Sequence, residues 1–163
     1  MTGAPRHPWW RGFAFAATGL RLAWRSERNL RVQCAAGWAA LAAAWLCGLS
    51  AARVAVLLAL VGAVLGAEIL NTAVEAAVDL AAPGWRPLAG RAKDLAAGGV
   101  LSVSLGALAA GLAVFWPHWL HPRATLAAWA SRPWLAAAGA VGEAALVGLA
   151  CAPVAPRAEE GRP

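Results

Sequence analysis

The stretch Glu68-Ile-Leu-Asn71-Thr-Ala-Val-Glu75-Ala-Ala-Val-Asp79 places three carboxylates and one amide in a segment that is otherwise apolar. These four polar positions are separated by three, four and four residues, so on an α-helix they form one polar stripe. Ionisable groups at membrane depth are energetically costly and usually functional. The stripe therefore predicts a membrane-spanning helix that carries a site.

The composition around this stripe is that of an integral membrane protein. Of the 163 residues, 61% are hydrophobic and only 13% are charged, whereas soluble domains contain about 25% charged residues. The net charge of +6 does not indicate a nucleic-acid partner, because the apolar content argues against one. Basic residues are instead expected to fix the membrane topology and to meet lipid head groups and phosphates.

Three segments are predicted to span the membrane as helices, at residues 32–49, 54–80 and 95–116. The chain before residue 32 combines an apolar face with a basic stripe, which is typical of an amphipathic helix in the membrane interface. A helix packed against its own protein is the alternative. The apolar face comprises Trp10, Phe13, Ala17, Leu20 and Trp24, and the basic stripe comprises Arg21, Arg25 and Arg28.

The C-terminal part of the chain is expected to add a separate extension at residues 117–152. Its apolar segment 134–152 is long enough to span, although it contains Glu143; a fourth span is favoured over a peripheral outer helix. The tail 153–163 is predicted to be disordered. The expected organisation is thus an arm and surface helix (1–31), a three-span core (32–116), this extension and the tail.

Charge distribution predicts the orientation of the spans. Six arginines precede the first span, and Arg86, Arg91 and Lys93 lie between the second and third, whereas the 50–53 turn carries a single arginine. The positive-inside rule then places the N-terminus and the 81–94 loop in the cytoplasm. The chain is expected to be a multi-pass protein of the inner cell membrane.

The depth of the stripe suggests its chemistry. Glu68 would lie about 22 Å along the second span from its outer end, just below the cytoplasmic boundary of a core of about 30 Å. There a lipid hydroxyl meets a cytosolic nucleotide, and the buried Glu68 is a candidate general base. Mg²⁺ is usually held by one or two carboxylates plus substrate phosphates, which fits Glu75, with Glu27 as a second ligand.

Other polar side chains would bind the phosphates and orient Glu68 or the substrate. Lys93 and Arg91 would neutralise the charge of the β- and γ-phosphates, and Asn71 would orient Glu68 or the substrate. Lys93 and Asp94 are expected at the N-terminus of the third span, where free N–H groups favour anions. The chain contains no Gly-x-x-x-x-Gly-Lys-Ser/Thr loop, so side chains and helix termini must bind the phosphates.

A base beside a lipid hydroxyl, together with groups that bind metal and phosphate, suggests a kinase that acts on a lipid. Two other interpretations compete with this one. A lipid phosphatase would need a nucleophilic histidine flanked by arginine and serine motifs, and neither His118 nor His121 has such surroundings. A non-enzymatic scaffold or carrier subunit would use the polar stripe only to bind partner helices.

The stretch Glu68–Asp79, the segment from Pro87 to Gly98 and the earlier Glu27-Arg-Asn-Leu-Arg31 resemble the small prokaryotic diacylglycerol kinase family, which includes the undecaprenol kinases. The resemblance runs from about Phe13 to Trp116. It implies a homotrimer of three-span protomers with an N-terminal surface helix and shared active sites. These would transfer the γ-phosphate of MgATP to the hydroxyl of a lipid alcohol, undecaprenol or diacylglycerol.

The resemblance also implies roles for individual residues. Glu68 would be the general base, and Glu27 and Glu75 would bind Mg²⁺ and the nucleotide. The version of the surface-helix motif in this chain is more similar to the undecaprenol kinase branch, which favours a polyprenol. Nucleotide-binding positions would include Gly84, Trp85, Arg86, Lys93 and Asp94, and substrate-binding or orienting positions Asn71 and Arg31.

Overall fold

A computed structural model describes Pro8, residues 10–84 and residues 86–153, which form six α-helices. These described ranges contain no β-strand, so the predicted all-α integral membrane fold is confirmed. The helices are α1 (Arg11–Ser26), α2 (Arg28–Leu46), α3 (Ala51–Ala81), α4 (Pro87–Leu120), α5 (Pro122–Ala130) and α6 (Pro133–Cys151).

Three of these helices, α3, α4 and α6, are long and apolar enough to cross a membrane. The first turn of α2 contains Arg28 and Arg31, which makes this helix less apolar. Helix α2, which contains most of the first predicted span, is therefore not among these three helices, although it packs against both α3 and α6. The chain is a multi-pass membrane protein.

Helix α1 is separated from α2 by one extended residue, Glu27. Of the described residues of α1, Ala23 alone is buried, while Phe13 is 71% exposed and Leu20 is 56% exposed. Most of the apolar face of α1 is therefore exposed, which favours the interfacial interpretation. Because the helix break falls at Glu27, Arg31 belongs to α2 and not to the surface helix.

The helices extend beyond the apolar runs from which they were predicted. Helix α4 begins at Pro87, eight residues before the apolar run that starts at Leu95. Proline suits the first position of a helix, because its missing N–H would have no partner there. The expectation that Lys93 and Asp94 lie at the helix N-terminus was therefore wrong, since both lie well inside α4.

The C-terminal helix α6 runs antiparallel to α2 along its whole length. Arg31 near the start of α2 donates from Nη1 to the carbonyl oxygen of Leu149 at 3.1 Å. At the opposite end, Nη1 of Arg132 donates to the carbonyl oxygen of Trp45 at 3.3 Å. This arrangement favours a fourth span over a peripheral helix. The tail beyond residue 153 lies outside the described residues.

The contact between α2 and α3 predicts a stability effect at Gly37. A Cβ added there would lie 2.8 Å from Cγ1 of Val61, a stiff β-branched side chain. We expect Gly37→Ala to lower the free energy of unfolding by about 1–3 kcal/mol through overpacking. Reversible unfolding of the protein in detergent micelles, followed by circular dichroism, measures the change.

The matched control is Gly62→Ala, because a Cβ on Gly62 would meet no described atom within 4 Å. It should be neutral or slightly stabilising, since alanine favours a helix over glycine. Equal effects of the two variants would contradict the close packing of α2 on α3.

Candidate functional site

The polar stripe occupies the C-terminal half of α3, and its burial falls toward the helix end. Glu68 is 4% exposed, Asn71 and Glu75 are half-buried, and Asp79 is exposed. Glu68 lies about 26 Å along the helix from Ala51, still within a hydrocarbon core of about 30 Å. The stripe therefore runs from inside the membrane to the aqueous boundary.

The buried carboxylate of Glu68 has a specific partner on the neighbouring helix. Gln33 of α2 donates from Nε2 to Oε2 of Glu68 at 3.0 Å. This contact satisfies one carboxylate oxygen and fixes the direction of the side chain, while the other oxygen is left available. Sequence reasoning missed Gln33, although an isolated amide in the apolar run of α2 was a signal that it needed a polar partner.

The carboxylate of Glu75 is oriented from within α3. Asn71 donates from Nδ2 to Oε1 of Glu75 at 2.8 Å, because residues four apart on a helix are neighbours. Asn71 was predicted to orient Glu68 or the substrate, and its hydrogen bond in the structure is with Glu75. The Oδ1 atom of Asn71 is buried and has no hydrogen-bond partner among the described residues, so it remains an available acceptor.

A single ion pair joins the end of α3 to the beginning of α4. Nζ of Lys93 lies 2.6 Å from Oδ1 of Asp79, and the two side chains are 35% and 56% exposed. Such half-exposed pairs contribute little to stability and exchange partners readily. This contact holds Lys93 next to the exposed end of the stripe. The neighbouring Arg91 and Asp94 are exposed to solvent.

The loop between α3 and α4 turns at Gly84. Its φ of +111° lies where residues with a Cβ are disfavoured. Gly84 and Arg86 are both exposed, so they are accessible to a soluble ligand. Trp85, which was also predicted to contact the nucleotide, lies outside the described residues.

Arg31 is turned away from the stripe. It is 5% exposed, and its guanidinium donates to the carbonyl oxygen of Leu149 in α6. The Nε and Nη2 atoms of Arg31 are buried and have no hydrogen-bond partner among the described residues. Arg31, which was predicted to bind or orient the substrate, therefore contacts α6 in this structure.

The two residues predicted to bind a metal, Glu27 and Glu75, carry carboxylates, the ligand type that Mg²⁺ prefers. Glu27 is half-buried at the α1–α2 junction, and α1 contacts α3, the helix of Glu75. No cluster of three or more His, Cys, Asp or Glu residues that could hold a metal occurs in the described part of the chain. Mg²⁺ needs no such cluster, because it uses one or two carboxylates and completes its coordination with phosphates and water.

The fold and the site define a helical membrane protein with an acidic stripe and a lysine at one membrane boundary. Residues 14–115 match the family described as prokaryotic diacylglycerol kinase. The chain therefore belongs to this family, and it is a membrane lipid kinase. The candidate site lies entirely within the matched residues, whereas α5 and α6 lie beyond them.

Individual relatives agree with this assignment. The chain is 36% identical over 107 residues to the undecaprenol kinase of Bacillus subtilis (strain 168), covering 66% of this chain and 87% of that protein. It is 40% identical over 100 residues to a diacylglycerol kinase of Synechocystis sp., covering 61% and 57% of the two chains. The diacylglycerol kinase of Escherichia coli (strain K12) is 34% identical over 100 residues, covering 61% and 82%. No solved structure matches this chain. The family and the named relatives give no support to the alternative of a non-enzymatic scaffold or carrier subunit.

The half-exposed pair between Lys93 and Asp79 predicts a weak, salt-sensitive coupling. A cycle of Asp79→Asn, Lys93→Met and the double variant should give a coupling free energy of about 0.2–1 kcal/mol. This value should fall at high ionic strength, because exposed charges are screened. Unfolding in detergent at low and high salt measures it. A coupling of several kcal/mol that is insensitive to salt would mean that Lys93 is locked in a structural role.

Proposed function

We propose that this kinase transfers the γ-phosphate of MgATP to the hydroxyl of a membrane lipid alcohol at the cytoplasmic surface of the inner membrane. The observation that carries the proposal is the position of Gln33. This side chain hydrogen-bonds Glu68 and also lines an apolar cavity between α2, α3 and α4. The candidate base therefore lies beside a cavity suited to a hydrocarbon chain.

The cavity has a volume and an apolar lining that suit part of a hydrocarbon chain. Its volume is about 390 Å³, within the range of about 300–1,000 Å³ that is usual for ligand sites. Gln33 stands at the end near the stripe, and Trp119 at the opposite end. Between them the wall is almost wholly apolar, so a lipid chain would bind through burial of its surface. Representative lining residues are Ala40, Leu57, Val61, Leu108 and Phe115.

The chemistry follows from this placement. The hydroxyl of the lipid would approach the free oxygen of Glu68, which accepts its proton. The hydroxyl oxygen then forms a bond to the γ-phosphorus, the bond to the bridging oxygen breaks, and ADP leaves. Lys93 would move from Asp79 to the nucleotide and offset the negative charge on the β- and γ-phosphates.

Glu75 and Glu27 would hold Mg²⁺, and Asn71 fixes the direction of the Glu75 carboxylate. The bound ion supplies charge neutralisation on the phosphates. Gly84, Trp85, Arg86 and Asp94 would contribute to nucleotide binding from the α3–α4 loop and the first turns of α4.

We favour a polyprenol as the lipid acceptor. The relative from Bacillus subtilis is named undecaprenol kinase, and the motif Glu27-Arg-Asn-Leu-Arg31 resembles that branch of the family. Diacylglycerol is the other acceptor to test, because two of the relatives are named diacylglycerol kinases.

The proposed orientation has the N-terminus in the cytoplasm. Basic residues concentrate where α2 begins, α3 ends and α4 begins, while fewer occur at the opposite end, which favours this orientation. A homotrimer is also proposed, from the family resemblance. Helix α4 has a surface available for contacts between protomers, because none of its residues is buried within the described part of the chain. The basic residues at the cytoplasmic end are Arg28, Arg31, Arg86, Arg91 and Lys93, and those at the other end are Arg53, Arg123 and Arg132.

Phosphate transfer tests the proposal directly. The purified protein in mixed micelles is given MgATP with a labelled γ-phosphate, and undecaprenol and diacylglycerol in parallel reactions. We expect labelled lipid with the wild type. Glu68→Gln should lower the rate by about 10²–10⁴-fold, the usual contribution of a general base, and should leave nucleotide binding largely unchanged.

The matched control is Glu143→Gln, which changes a half-buried carboxylate outside the proposed site and should retain activity. Retained activity in Glu68→Gln, or complete loss of its nucleotide affinity, would disprove the assignment of Glu68 as the base.

The Mg²⁺ dependence of the rate tests the role of Glu75. Altering groups that only support a metal ligand already costs about 10–100-fold in affinity. We therefore expect Glu75→Gln to raise the Mg²⁺ concentration for half-maximal transfer more than tenfold. An unchanged Mg²⁺ dependence at a lowered maximal rate would argue that Glu75 does not bind the metal.

A further inference from the structure

The C-terminal helix α6 lies beyond the residues that match the family, yet it is fastened to α2 at three levels. Near the ends of the two helices, Arg31 and Arg132 donate to carbonyl oxygens of the opposite helix. Between them, Nε1 of Trp38 donates to the carbonyl oxygen of Gly139 at 3.3 Å. All three donors are side chains, and all three acceptors are backbone carbonyls.

The two arginine contacts are reciprocal. Arg31 lies in the first turn of α2 and binds a carbonyl in the last turn of α6. Arg132 precedes α6 and binds a carbonyl in the last turn of α2. The last carbonyls of a helix lack partners within the helix and carry a partial negative charge. Each contact thus pairs a cation with the helix end that attracts it.

The middle of the pair depends on small residues of α6. A Cβ at Gly142 would lie 2.5 Å from Nε1 of Trp38, and a Cβ at Gly139 would lie 3.3 Å from Cβ of Ala42. Glycine at these positions allows the indole ring to lie against the backbone of α6, as small residues do between membrane helices. The approach is specific, because a Cβ at Gly148 would meet no described atom within 4 Å.

We propose that α6 is a built-in clamp that positions the cytoplasmic end of α2 for phosphoryl transfer, with Arg31 as the positioning residue. Arg31 does not line the apolar cavity, whereas Gln33, two residues further along α2, does. Helix α6 supplies a hydrogen-bond acceptor, the carbonyl oxygen of Leu149, for the buried Arg31 guanidinium. Fixing Arg31 therefore fixes the helical turn from which Gln33 directs the carboxylate of Glu68.

Removing α6 would leave the Arg31 guanidinium without this acceptor, and this links the position of α6 to the position of Gln33. Without α6, the guanidinium of Arg31 would face lipid without that acceptor, which is unfavourable at membrane depth. The first turn of α2 would then shift to bring Arg31 to the interface, and Gln33 would move with it. Displacements of about 1 Å in an active site can cost about 10²-fold in rate. This proposal rests on the proposed function, because its second readout is lipid phosphorylation.

Docking of α6 is tested by a disulfide that requires no substrate. In a chain whose three native cysteines are replaced by alanine, Ala42→Cys and Gly139→Cys are introduced together. Their Cβ separation is close to the range of about 3.5–4.5 Å found in disulfides. We expect an intrachain cross-link on mild oxidation, and an oxidised enzyme that retains activity because α6 is docked in the active state.

The positioning role is tested by Gly142→Leu, whose side chain would collide with the Trp38 ring. We expect a slower cross-link in the cysteine-pair background, and a kcat for lipid phosphorylation that falls by about ten- to hundredfold with little change in the KM for ATP. Gly148→Leu is the matched control on the same helix and should resemble the wild type. Adding Trp38→Ala to Gly142→Leu removes the obstructing ring and should restore both cross-linking and kcat.

The outcomes separate the clamp from the proposed function. Absence of the cross-link in an otherwise unaltered, active enzyme would overturn docking of α6. Loss of the cross-link in Gly142→Leu with an unchanged kcat would overturn positioning, as would an equal loss in Gly148→Leu. A normal cross-link in the Ala42→Cys, Gly139→Cys protein, with no lipid phosphorylation by this protein or by the wild type, would overturn the proposed function, and with it the positioning role.

Discussion

The hydrogen bond between Gln33 and Glu68 is the interaction on which the site depends. A carboxylate that is 4% exposed at membrane depth is tolerated when a polar partner satisfies it. Gln33 provides that partner from α2 at 3.0 Å, which ties α2 and α3 together at one level. The same bond directs the carboxylate and leaves its second oxygen for another group. One contact thus satisfies a buried polar group and orients the side chain that we propose as the general base.

Along α3, the polar side chains of the site become more exposed with distance from Glu68. Glu75 is held by Asn71 in the half-buried zone, and Asp79 pairs with Lys93 where solvent reaches both. The deepest carboxylate lies beside an apolar cavity, and the shallower ones lie where soluble ligands arrive. This order suits an enzyme that transfers phosphate from a charged nucleotide to a lipid, since each substrate would meet groups in its own medium. The helical period of α3 aligns the carboxylates, and α2 and α4 add Gln33 and Lys93.

Sequence reasoning succeeded where local pattern decides the structure. The spacing of Glu68, Asn71, Glu75 and Asp79 defined one helical stripe, and the prolines and glycine after Ala81 located the end of α3. It failed where hydropathy was used to place a helix start, because α4 begins at Pro87 and not near Leu95. Apolar content indicates which residues lie in the hydrocarbon core of the membrane, whereas helix boundaries depend on backbone conformation and capping. The hydrogen bond between Asn71 and Glu75 was not anticipated, since Glu68 and Glu75 are both within reach of Asn71 along the stripe.

The sequence by itself determined the membrane class, the helical periods and the family motif, because these depend on composition and on neighbours three or four residues apart. Tertiary structure alone decided which residues meet across helices. Gln33 and Glu68 are 35 residues apart in the chain, and Arg31 and Leu149 are 118 apart. No local pattern specifies such pairs, because helix packing depends on shapes along entire faces. The close approach that Gly37 and Gly142 permit is a property of two helices together and not of either sequence alone.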